Sequence, residues 1–111
     1  MIRKLFFAIV LLCCTIASFA EVADADDPKA DPSAMVIAGN ARFTVLTSRL
    51  VRMEWSEDGV FEDNATLTFI NRKLPVPDFK VSKSKSKVVI KTSDMILTYK
   101  LEGKFTSENL K

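Results

Sequence analysis

The sequence predicts an all-β protein: an antiparallel β-sandwich, incomplete, preceded by a signal peptide and a flexible leader. Val51, Met53 and Trp55 alternate with Leu50, Arg52 and Glu54, and a period of two is the repeat of a strand with distinct faces. Short runs rich in β-branched and aromatic residues are punctuated by polar turn formers, as in residues 56–64 and the pair Ser93-Asp94. Beyond the first twenty residues the chain has no cysteine, so its stability must come from sheet packing rather than from a disulfide framework.

Residues 1–20 read as the signal peptide. Arg3 and Lys4 form the charged start, residues 5–16 an apolar stretch too short to span a bilayer comfortably, and Ser18-Phe19-Ala20 supplies a small-residue cleavage site. The expected destination is the periplasm or the extracellular space. Residues 21–37 follow as a flexible acidic leader. Its first part, EVADADDPKADPS, has almost no large apolar side chain and two prolines, a composition unable to bury a core. Asp24, Asp26, Asp27 and Asp31 are candidate calcium ligands by type, but the glycine turn and distal glutamate of a calcium loop are lacking. A solvated linker is the expectation.

Residues 38–111 form the β region. Residues 42–47 and 49–55 predict two strands, or one with a bend, and the acidic loop 56–64 leads to a predicted return strand over 65–70. The lysine-rich segment VSKSKSKVVIK sets Lys83, Lys85 and Lys87 at period two, which a single extended strand would gather on one face. The residues between them are Ser84 and Ser86, not the stacking aromatics of a single-strand nucleic-acid site. The expected arrangement is a polar turn beside an edge strand guarded by lysines. Residues 87–92 and 95–101 predict a second hairpin. Val88, Ile90, Ile96 and Leu101 are assigned to the core and Val89, Leu97 and Tyr99 to the opposite face, with both faces rather apolar.

Charge and composition exclude several chemistries. Losing Arg3 and Lys4 lowers the basic count from 16 to 14, equal to the acidic count of 14. The remaining charges are segregated: 10 of the acids lie in residues 21–71 and 10 of the basic residues in 72–111, so the halves are expected to attract. With no histidine and no mature cysteine, zinc sites built on nitrogen and sulfur ligands and histidine-based acid/base schemes are ruled out. No phosphate-binding glycine loop occurs. No cofactor, metal or nucleic-acid partner is expected, nor a membrane after signal cleavage.

Two constellations touch carbohydrate chemistry. Glycosidases commonly use paired carboxylates, and Glu57, Asp58, Glu62 and Asp63 are the candidates, although acids beside Gly59 and Asn64 read as solvated loop residues. Trp55, Phe61 and Tyr99 are candidate sugar-stacking rings. Trp55 shares the register of Val51 and Met53, which assigns it to the core.

The combination RFTVLTSRLVRMEWS, then FEDNATLTFINRKLPVP, with the closing GKFTSENLK, resembles the N-terminal mutarotase-like β-sandwich domain of glycoside hydrolase family 31, the α-glucosidases and α-xylosidases. The resemblance covers residues 38–111. It implies a parent enzyme acting on α-linked oligosaccharides, in which the sandwich precedes a (β/α)8 barrel carrying two aspartates, one the nucleophile and one the general acid/base. A barrel of that kind needs about 250 residues, so it and its aspartates are not in this chain, which is expected to be a partial domain with no catalytic residue of its own. On that reading its role is to support the barrel and carbohydrate binding. The alternative is a stand-alone secreted carbohydrate-binding or interaction module without hydrolase activity.

Overall fold

The computed structural model describes residues 27–111, so the predicted signal peptide and the first part of the predicted leader, Asp24 and Asp26 included, lie outside the described residues. Six strands build two three-stranded antiparallel sheets: β1 (Met35–Ala38), β2 (Ala41–Thr47) and β3 (Leu50–Trp55) in one, β4 (Lys80–Lys83), β5 (Lys87–Lys91) and β6 (Ile96–Lys100) in the other. The described residues are therefore all-β, with consecutive strands paired in each sheet.

β1 lies inside the stretch expected to be leader. Asp31 caps a short 3-10 turn, Pro32–Ala34, by accepting from the Ser33 amide at 2.8 Å. Ala30, Ala34 and Val36 are buried. The Met35-Val36-Ile37-Ala38 run extends because Gly39-Asn40 closes a two-residue hairpin onto β2, with Ala38 opposite Ala41. Gly39 has φ 58° and Asn40 does not have a positive φ, the signature of a type II′ turn whose hand matches strand twist. A Cβ on Gly39 meets no atom within 4 Å, so Gly39→Ala is charged for backbone conformation alone. The expected loss is about 1–3 kcal/mol, read as a lower urea midpoint; an unchanged midpoint would mean the turn re-forms in another geometry.

β2 and β3 are distinct strands. Their register shifts between Val45 and Thr47, leaving Leu46 as the extra, buried residue of a bulge. One face of this sheet carries Val36, Ala38, Ala41, Phe43 and Val45, and these pack on Val88, Ile90, Leu97 and Tyr99 of the second sheet to make one shared core. Phe43, Tyr99 and Phe105 fill its centre, with ring centroids 5.2–5.7 Å apart in tilted and edge-on contacts, the geometry aromatic quadrupoles favour. The sheets are also tied at their ends. The Thr92 hydroxyl donates to the Ser48 carbonyl at 2.6 Å, and the Lys83 ammonium to the Ile37 carbonyl at 2.9 Å.

Three expectations are corrected. Residues 65–70 form no strand: Thr66 and Phe69 close a local turn, the Thr66 amide donating to the Phe69 carbonyl and the Phe69 amide to Thr66 Oγ1. Residues 61–72 lie as irregular chain over the outer face of the first sheet, with Phe61 on Arg42, Phe69 on Arg52 and the Glu62 carbonyl accepting from Arg42. The facing of β6 is reversed. Val88 pairs with Tyr99 and Ile90 with Leu97, so Leu97 and Tyr99 are buried while Ile96 is 61% exposed and Leu101 is 37% exposed. The cause is the turn at Thr92, whose Oγ1 accepts the amides of Asp94 and Met95 and resets the alternation. Finally, the outer face of the second sheet is less apolar than expected, with four lysines beside Val89 and Ile96.

Candidate functional site

Trp55 ends β3 opposite Ala41, whose small side chain lets the half-buried indole lean over the Gly39-Asn40 turn and against the core. A cleft of about 290 Å³ opens there, lined by Ala38, Gly39, Asn40, Trp55, Tyr99, Leu101 and Gly103. Asn40 joins its walls: its carbonyl accepts from the Ser56 amide at 2.9 Å and its Nδ2 donates to the Glu57 carbonyl at 3.0 Å. The Lys104 ammonium stands 5.4 Å from the indole centroid, within cation–π range. Tyr99 donates its hydroxyl to the Gly103 carbonyl, and burial pushes its phenol up, which keeps it a donor. An indole wall beside Asn40 gives the cleft one apolar and one polar side, at the small end of the ~300–1,000 Å³ range of ligand sites.

Of the three candidate sugar-stacking rings, the fold brings together Trp55 and Tyr99. Phe61 lies elsewhere, its ring 4.9 Å from the Arg42 guanidinium carbon. The candidate carboxylates do not converge on the cleft as an acid/base pair. Asp58 accepts from the Ser56 hydroxyl and, at 3.0 Å, from the Val60 amide, and these bonds hold its carboxyl below the usual range. Asp63 lies 2.7 Å from Arg42 Nη1, which holds it down as well. Glu62 closes a local turn by accepting the Asn64 amide at 2.7 Å, and Glu57 contributes its backbone carbonyl to Asn40. A general acid needs a raised pKa, so the shifts at Asp58 and Asp63 run against that role.

What sequence reasoning missed is an ionic cluster behind the cleft, on the face of β2 and β3 away from the core. Arg42, Arg52 and Arg72 are all buried. Glu54 accepts from Arg42 Nε at 2.7 Å and Nη2 at 3.2 Å, and also from the Glu62 amide at 3.1 Å. Arg52 Nη1 lies against Glu54 Oε2 as an ion contact without hydrogen-bond alignment. Arg72 donates to the carbonyls of Glu62 and Asn64, while its backbone amide and that of Lys73 donate to the Asp27 carbonyl. Burial pushes Arg72 down, and the neighbouring Arg52 adds to the shift. Phe69 covers Arg52, with its centroid 5.8 Å from the guanidinium carbon. The available signal was the coincidence of Arg42, Arg52 and Glu54 on one face of the alternation.

The lysines and aspartates also separate. Lys83 is in edge strand β4, Lys85 is in the turn and Lys87 is in β5, so the hairpin splits the stripe expected on one strand. Asp27 and Asp31 serve local turns, accepting the amides of Lys29 and Ser33. Among the described residues no group of three potential metal ligands occurs. Of the attraction expected between the segregated halves, one ion pair appears among the described residues, Lys73 with Asp27 at 3.5 Å; Arg49 with Asp94 at 3.6 Å joins the halves in the opposite sense. No protein-family model and no curated protein matches the chain.

Proposed function

We propose that residues 38–111 are a non-catalytic N-terminal β-sandwich unit of a secreted family 31 glycoside hydrolase, supporting its barrel and its binding of α-linked oligosaccharides. The reading rests on the resemblance of the segments around Trp55, Phe61 and Phe105 to that family's leading domain. The observation that carries its carbohydrate part is the half-buried indole of Trp55, which lines a cleft beside Asn40. Downward-shifted carboxyls at Asp58 and Asp63 agree with a unit that leaves bond cleavage to other residues.

Trp55 is the only tryptophan of the chain, so its emission reports the cleft alone. Titration with maltotriose is expected to give a saturable emission shift, and Asn40→Ala to weaken it about five- to tenfold, the worth of one hydrogen bond. No emission change would remove the carbohydrate part of the proposal. The parent-enzyme part is tested by reading the native gene past the codon for Lys111. A frame continuing into a barrel with paired aspartates supports it; an immediate stop overturns it and, with sugar binding intact, leaves a stand-alone binding module.

A further inference from the structure

The second sheet turns a basic face away from the core. Val88 and Ile90 point inward, so Lys87, Val89 and Lys91 point outward, and the register sets Lys80 opposite Lys91 and Lys87 opposite Lys100. These are two directly opposed like-charge pairs, an arrangement that destabilises a sheet. Among the described residues none of the four lysines forms an ion pair. Edge protection accounts for lysines on β4, but β5 is the central strand, where no edge needs guarding. Lys87 and Lys91 therefore call for another explanation.

A cleft of about 530 Å³ opens beside the first pair, lined by Asp78, Phe79, Lys80, Lys91, Thr92 and Ser93. Beside the Asp78 carboxylate it supplies two ammonium groups and a serine hydroxyl, while the Phe79 ring packs against the core. The second pair lies four residues along β5, roughly 13 Å away at ~3.3 Å per residue. One small anion covers one pair; a chain of acidic residues covers both.

We propose that this face binds a linear acidic polysaccharide, with Lys80 and Lys91 holding the acidic group of one sugar and Lys87 and Lys100 that of a later one. The rest of the face is Ser82, Val89, Ile96 and Thr98, without the aromatic platforms on which single-stranded nucleic acid stacks. Two lysine pairs spaced along one strand suit a polymer of repeating charge better than they suit a flat bilayer. The site is separate from the Trp55 cleft and does not depend on the α-glucoside reading.

The test uses the full chain with polygalacturonate as probe, and neutral dextrin, an oligothymidylate and phosphatidylserine vesicles as comparators. Polygalacturonate is expected to bind at low ionic strength and to be released by salt, since exposed ion pairs are screened. Lys80→Gln/Lys91→Gln and Lys87→Gln/Lys100→Gln are each expected to weaken it about three- to tenfold, while leaving the maltotriose response of Trp55 unchanged. Their thermal midpoints should hold or rise as repulsion is relieved. Failure of the unsubstituted protein to bind polygalacturonate overturns the proposal without recourse to any variant. Unchanged affinity in the quadruple variant also overturns it, as does tighter binding of the oligonucleotide or the vesicles.

Discussion

Phe43→Ala is expected to remove most of the stability of the β unit. Phe43 has 0% exposure and stands at the centre of the shared core, 5.6 Å from the Tyr99 ring and 5.7 Å from that of Phe105. Truncating a buried phenylalanine costs about 3–5 kcal/mol, the sum of lost transfer energy and the cavity left behind. Small domains lie at the low end of the ~5–15 kcal/mol typical of native proteins, so the variant should be largely unfolded before denaturant is added. Urea unfolding followed by Trp55 emission measures this. Phe61→Ala, on the opposite face of the sheet, is the control expected to lose far less. A loss below about 1 kcal/mol at Phe43 would mean that the two sheets do not depend on one core.

Glu54→Gln is expected to be nearly as damaging, for an electrostatic reason. The Glu54 side chain is 13% exposed and neutralises Arg42 and Arg52 together. Removing one partner of a buried ion pair leaves an uncompensated charge, at a cost of about 3–5 kcal/mol. Arg52→Met should cost less, because it takes a cation from a cluster that holds three arginines against Glu54 and Asp63. If Arg52→Met proves the worse of the two, the cluster is not limited by excess positive charge.

The same cluster predicts an acid limb. Burial pushes Glu54 up, but the hydrogen bonds from Arg42 and the adjacent Arg52 guanidinium outweigh it and hold the carboxyl below its ordinary value. A depressed folded-state pKa contributes stability that is present above the unfolded value, about 4.3, and is lost as pH falls through the lower folded value. Asp63, held down by Arg42, adds with the same sign. Urea midpoints should therefore fall steeply below about pH 4 in the unsubstituted protein and more gently in Glu54→Gln. Equal slopes would show that Glu54 does not carry the acid sensitivity.

Much of the strand inventory was legible in the alternation. The predicted strands 42–47 and 49–55 correspond to β2 and β3, and 87–92 and 95–101 to β5 and β6. β1 escaped notice because Pro28, Pro32 and the surrounding acids dominate the composition of that stretch, although a Gly-Asn pair between apolar runs is a hairpin signal. Residues 65–70 have strand-like composition in Thr66, Leu67, Thr68 and Phe69, yet the segment closes on itself as a local turn, the Thr66 amide donating to the Phe69 carbonyl and the Phe69 amide to Thr66 Oγ1. Trp55 was assigned to the core from its register. The ring does pack there, and its place at the end of β3 also gives it the wall of a cleft.

The sequence by itself determined the all-β class and the main antiparallel hairpins. Only the tertiary structure decided which face of each strand is covered, and by what. A period of two says that alternate side chains share a face, but it does not say which face meets a second layer. Leu97 and Tyr99 were assigned the wrong side for that reason. Arg42, Arg52 and Glu54 would read as solvent-facing until residues 61–72 lay over them, because burying charge is tolerable only where each group finds a partner, and part of that partnership, from Phe61, Glu62, Asp63 and Phe69, comes from outside the strands.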